Sequence, residues 1–173
     1  MKKLLLALGL CGAAALSASA QNKEVYVSYG GYTQMDAMDM ARGMKTDNAW
    51  GAVNAGINFR VAPNLWIGPS YTFSSQTAKH DDDSHAYYHV IMLNGRYNYY
   101  RRGDFTMYAK AGIGVDISHI SIDDGDYTKN KAYCAFQVNP IGAQYSLSRN
   151  FDLFGELGFG AQGLLQVGFK YKF

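Results

Sequence analysis

Once its first twenty residues are set aside, this chain lacks most devices that hold an exported protein together. It has two cysteines, Cys11 and Cys134, and only Cys134 lies beyond residue 20, which excludes an intrachain disulfide in the remainder. No apolar run after Ala20 is long enough for a membrane-spanning helix. Charge of either sign is also missing in excess. The full chain carries 16 Lys and Arg against 14 Asp and Glu, and removing Lys2 and Lys3 leaves the two signs balanced. A nucleic-acid binder would show a basic surplus, so that partner class is excluded. The twenty residues themselves, MKKLLLALGLCGAAALSASA, have a basic start, an apolar stretch to about Leu16 and small residues at Ala18-Ser19-Ala20. This pattern predicts a secretory signal cleaved after Ala20. Leu10 is bulky where lipidation of Cys11 would need a small residue. The domain reading is therefore 1–20 signal and 21–173 a single barrel domain.

What is present is Tyr (14 residues), Gly (19 residues) and alternation. In FTMYAKAGIGVDIS, Phe105, Met107, Ala109, Ala111, Ile113 and Val115 share one face, with Thr106, Tyr108, Lys110 and Asp116 opposite. NAWGAVNAGINFR and DLFGELGFGAQ alternate in the same way. In LLQVGFKYKF, Leu165, Val167, Phe169, Tyr171 and Phe173 point one way and Gln166, Lys170 and Lys172 the other. Period two of this kind predicts strands. Eight are expected, near 24–33, 48–60, 65–75, 86–100, 105–118, 132–146, 151–161 and 163–173, with a bulge near Asn139-Pro140 where proline cannot donate to a ladder. The turns VAPN, RRGD and SRN are tight; QMDAMDMARGMKTD, QTAKHDDDSH and HISIDDGDYTKNK are long and polar. Long loops thus fall at one end and short turns, with both termini, at the other.

Alternation alone does not say which face meets water. Three features favour an apolar exterior and a filled polar interior over a soluble ligand-binding barrel. The polar face is poor in charge at mid-strand (Asn54, Ser70, Thr72, Asn94, Gln137, Asn139), unlike a solvated surface. Aromatics such as Phe59, Tyr97, Phe105, Tyr145, Phe151 and Tyr171 gather at the short-turn end, as in an interfacial girdle. Strands of about ten residues suffice to cross a bilayer at a tilt. An open edge in hydrocarbon would leave unpaired backbone groups, so the last strand must close against the first. The expected fold class is all-β, an eight-stranded up-and-down antiparallel transmembrane barrel.

The terminal VGFKYKF, the signal-like start and the strands YAKAGIGV and LFGELGFG resemble the small outer-membrane β-barrel proteins of the OmpX and OmpA membrane-domain type, across the whole of 21–173. The resemblance implies outer-membrane localisation among phospholipid and lipopolysaccharide. It implies periplasmic chaperones and the barrel-assembly machinery as partners during biogenesis, with Phe173 as the terminal residue read and Phe169 and Tyr171 upstream of it. It also implies a monomer, with an extracellular ligand for the long loops as a further partner.

Candidate chemistry lies in the interior. Arg60, Arg96, Lys110 and Lys170 are placed inward with Asp116, Asp152 and Glu156. The RRGD turn sets Arg96 beside Lys110; Glu156, read as the one inward acid near mid-strand, completes an expected Arg96–Lys110–Glu156 cluster. Buried charges need partners, and a barrel of eight strands is filled by its own side chains, so a structural plug is preferred to a narrow channel. His80, His85, His119 and Asp124 are weak candidates for a divalent cation, without any specific ligand spacing. His119 and Ser121 are a slight match to lipid A-modifying barrel enzymes, lacking an orienting acid. Met35, Met38, Met40 and Met44 are expected to cover the barrel mouth, and Cys134 to face lipid. The functional expectation is a non-catalytic structural or surface-interaction protein without a cofactor.

Overall fold

The computed structural model describes residues 23–41, 46–78, 85–121 and 129–173. Eight strands are present: β1 Lys23–Gly31, β2 Thr46–Ala62, β3 Leu65–Ala78, β4 His85–Arg102, β5 Phe105–Ser121, β6 Lys129–Ser146, β7 Phe151–Gly160 and β8 Leu165–Lys172. They pair antiparallel in chain order and close into a barrel. Closure joins β1 to β8 in the register Val25↔Tyr171 and Val27↔Phe169. The amide of Phe173 donates to the carbonyl of Lys23 at 3.2 Å. The regular alternation of the last ten residues is therefore that of a seam, which has to be paired along its length because hydrocarbon offers no substitute partner.

The two faces separate as the alternation predicts, and the apolar one is outside, as the charge-poor polar face and the aromatic girdle favour. Ile113 is 65% exposed and Val27 57%, whereas Gln137 and Asn139 are wholly buried. In water this arrangement would forfeit the hydrophobic term; against lipid it is the stable one. Tyr97, Tyr99, Phe105, Tyr145, Phe151, Tyr171 and Phe173 are all exposed at the short-turn end. The bulge in β6 is where proline requires it: Tyr108 pairs with Gly142 but Lys110 pairs with Asn139, so one extra β6 residue is absorbed around Pro140. Inward residues switch there from odd to even numbers, from Asn139 to Gly142.

Two features differ from the expectation. A helix, α1 (Gln34–Ala41), follows β1 in what reads as a polar loop. Its start is a capping box: the Asp36 carboxylate accepts from the Thr33 amide at 2.5 Å and from the Thr33 hydroxyl at 2.9 Å, satisfying donors that a helix N-terminus otherwise leaves bare. The barrel wall is also uneven. β6 pairs with β5 as far as Ile120↔Lys129, but with β7 only to Gln137↔Gly160. Residues 129–136 thus rise past β7 with one edge free of it. The β7–β8 turn folds into this space and inward, leaving Ala161 and Gln162 without exposure. Gly163 has φ +107°, and a side chain on Gly30 would collide with the Gln162 carbonyl. Glycine at both places lets the turn enter the lumen.

Candidate functional site

The lumen is layered. Nearest the short turns it is ionic. Glu24 of β1 takes a two-pronged hydrogen bond from the Arg96 guanidinium, 2.5 Å from Nη1 to Oε1 and 3.1 Å from Nη2 to Oε2, and accepts from Asn58 Nδ2 at 2.8 Å. The guanidinium lies between the rings of Trp66 and Tyr108, 5.0 and 5.1 Å from their centroids. On the facing wall Lys110 is ion-paired with Glu156. Glu156 also accepts from the Tyr108 hydroxyl at 2.7 Å and from the Asn139 side-chain amide. Lys170 Nζ donates to the Tyr108 hydroxyl at 3.1 Å and to Gln144 Oε1 at 3.0 Å. It also sits 4.2 Å from the Tyr108 ring centroid and 4.4 Å from that of Phe154. At the rim Lys172 pairs with Asp152 at 2.6 Å, and Gln144 donates to the same carboxylate at 2.9 Å. Paired, hydrogen-bonded charges of this kind are the form in which charge survives burial.

Above this lies a neutral polar layer. Gln162, at the tip of the inward turn, crosses the barrel: Nε2 donates to Ser70 Oγ at 2.9 Å, its amide donates to Gln137 Oε1 at 2.8 Å, and its carbonyl accepts from Asn54 at 3.2 Å. Asn54 accepts from Thr72 at 2.7 Å, and Asn94 donates to Ser70 at 2.6 Å. Toward the long-loop end Met35, Tyr88, Val90, Met92, Ala135 and Ala161 form one buried apolar cluster, capped by Met35 from α1, with Ser74, Asp116 and Ser118 buried beside it.

The structure redraws the expected ionic cluster. Arg96 and Lys110 do face one another across β4 and β5, but Glu156 takes Lys110 while Arg96 is matched to Glu24. Tyr108 connects the two pairs, stacking on Arg96 and donating to Glu156. Glu156 is therefore not the one inward acid near these cations. Glu24 shares the inward phase of Tyr26 and Ser28 and pairs in register with Lys172, a signal open to the sequence once β1 is set against β8. Arg60, placed inward by sequence, is exposed and donates to the Pro63 carbonyl at 2.9 Å, because it sits in the last turn of strand before VAPN. Gln162 gave little sign beyond the flanking Gly160 and Gly163.

The other candidates are less well defined. His80 and Asp124 lie outside the described residues. On the backbone, His85 pairs with Ser121 and His119 with Tyr87, two positions apart on neighbouring strands. Among the described residues no group of three or more His, Cys, Asp or Glu side chains converges. Met44 lies outside the described residues, and the side chains of Met38 and Met40 do too. Cys134 is exposed on the outer face. Phe169, Tyr171 and Phe173 are exposed on the outer wall.

A closed barrel of eight strands with a lipid-facing apolar wall and a packed polar lumen defines an integral outer-membrane barrel protein. The family model for the outer membrane protein beta-barrel domain matches residues 4–173, and the chain belongs to that family. No curated protein matches the chain. Among solved structures it is similar to Neisserial surface protein A (13% identity, covering 90% of this chain and 98% of that one, TM-score 0.58). It is also similar to the N-terminal β-barrel domain of Pseudomonas aeruginosa OprF (16% identity, 90% and 100%, TM-score 0.57). Yersinia pestis Ail in a phospholipid bilayer nanodisc is a third (13% identity, 88% and 99%, TM-score 0.52). These likenesses extend to the fold.

Proposed function

We propose that this outer-membrane barrel is a non-conducting, non-catalytic protein with a structural or surface-interaction role, such as envelope integrity, adhesion or host contact. The observation that carries the reading is the crossing of the lumen by Gln162, bonded to β2, β3 and β6, between an ionic layer below and the Met35 cap above. A path for ions would have to break several buried hydrogen bonds across the lumen, each costly to leave unmade. Residues 1–20 are read as a cleaved signal. The barrel-assembly machinery and periplasmic chaperones are the proposed partners in biogenesis, with Phe173 as the recognised end. Lipid and lipopolysaccharide are the surroundings of the mature monomer, and the long loops are the surface for any extracellular ligand. The refolded barrel in planar bilayers should give no unitary conductance steps. Discrete steps altered by Arg96→Ala or Glu156→Gln would instead establish the narrow-channel alternative, and altered lipid A after overexpression would establish a lipid-modifying enzyme.

A further inference from the structure

Where β7 stops short of β6, the outer wall is concave. A groove of about 150 Å³ opens there, lined by Tyr32, Gln34, Ala37, Phe136, Phe159 and Leu164. Its floor is an edge-to-face pair, Phe136 and Phe159, with centroids 5.8 Å apart. Gly160 contributes no side chain, and Tyr32, at φ +50°, turns the chain out of β1 into the helix that forms the far lip. The polar groups at the lip are engaged. Gln34 Nε2 donates to the Cys134 carbonyl at 3.3 Å and Gln34 Oε1 accepts from the Phe136 amide at 3.4 Å, so one side-chain amide stands in for a strand partner on the free edge of β6.

The height of the groove decides what can fill it. Phe136 pairs in register with Ile113, Cys134 with Val115 and Ala132 with Ile117. All three β5 residues are exposed, so the apolar band continues beyond the groove toward the long-loop end. Hydrocarbon is the medium at that level. A concavity left empty forfeits dispersion contacts on all its walls, and a cavity of about this volume elsewhere accepts a benzene ring. We propose that the groove holds an acyl chain of a lipid from the leaflet at the long-loop end, seated between α1 and the Phe136–Phe159 pair. A wider and more open depression lies across β1, β2 and β3, lined by Val27, Ile57, Tyr71 and Ile91; the groove beside α1 is the narrower one, walled on two sides. The assignment rests on the outer wall facing lipid.

The test uses the full barrel in phosphatidylethanolamine–phosphatidylglycerol vesicles containing a phosphatidylethanolamine with a photoactivatable diazirine midway along one acyl chain. Crosslinked positions are mapped by mass spectrometry. Labelling at Phe136, Phe159 and Leu164 is expected to exceed that at Leu93 on β4, which lines no groove, at least threefold. Ala37→Phe, which fills the groove from the helix, should abolish the excess and leave β4 labelling unchanged. Equal labelling of the two walls in the unaltered protein would overturn the proposal whether or not that variant folds. An excess that survives Ala37→Phe in a folded barrel would overturn it too. Absence of labelling even at Leu93 would sink the lipid-facing wall itself.

Discussion

Toward the short turns the lumen is made of Glu24, Arg96, Lys110, Glu156 and Lys170, all at or below 6% exposure; beneath the long-loop end it is built around Met35, Tyr88, Val90, Met92, Ala135 and Ala161, with Ser74, Asp116 and Ser118 buried beside them. The lower half is directional. Each cation has a carboxylate or an aromatic ring at defined distance, and removing one member strands another in a low-dielectric space. The upper half is held mainly by the packing of its apolar cluster, with a few polar bonds at its margin such as Ser74 to the Gly51 carbonyl, and is closed by a helix that belongs to a loop. One half therefore depends on every member being present, while the other tolerates repacking.

Breaking one member of each half should expose that difference, and the ionic half should suffer the larger loss. Glu24→Ala leaves the Arg96 guanidinium buried without its carboxylate and is expected to cost roughly 3–5 kcal/mol. Val90→Ala removes two methylene equivalents from the apolar cluster and should cost about 2 kcal/mol, at roughly 0.8 kcal/mol per buried CH₂ plus a small cavity contribution. Urea titration of the barrel in lipid vesicles, read by the mobility of unheated samples on gels, measures both. Equal losses would show that the charges are not the rigid part.

The partner assignment in the lower half can be sharpened by double-mutant cycles. Arg96 and Glu24 should couple by upward of about 2 kcal/mol, since each single change leaves the other group unpaired and the double change relieves it. Arg96 and Glu156, linked only through Tyr108, should couple by less than about 1 kcal/mol. The reverse order would restore the single cluster that the inward phases of β4, β5 and β7 suggest on their own.

That contrast also marks what could be read from residues. Alternation in β5, β7 and β8 carried the wall, because a half-buried strand must repeat every second residue. Pro140 carried the bulge, because it has no amide to give. The Arg96–Lys110 adjacency followed from the RRGD turn to within one residue, and the register shift between Asn98 and Tyr100 makes it direct. Glu24 needed more, namely the pairing of the first strand with the last, and local pattern does not encode a contact between residues 72 positions apart. Gln162 was further out of reach, since a turn that dives inward looks in sequence like one that stays out. Helix α1 was hidden because QMDAMDMARGM is polar enough to pass for a loop. Its Thr33 and Asp36, three residues apart, were the visible capping signal.

The smallest effect expected is at the join between the two halves of the wall, where Gln34 ties α1 to the free edge of β6. Both bonds are long, at 3.3 and 3.4 Å, and both join neutral groups, so each contributes little. Gln34→Leu keeps the side chain's bulk and removes its amide. The loss should be about 0.5–1 kcal/mol, at the low end for a neutral hydrogen bond because both are long. It should be local: hydrogen exchange at the Phe136 amide should quicken roughly two- to fivefold, while that of Ala111, deep in the β5 ladder, stays unchanged. The pair of amides makes the test specific, because a change shared by both would mean that the whole barrel had loosened. No change at Phe136 would mean that α1 rests on the wall without holding it, leaving the apolar cap fastened by Met35 alone.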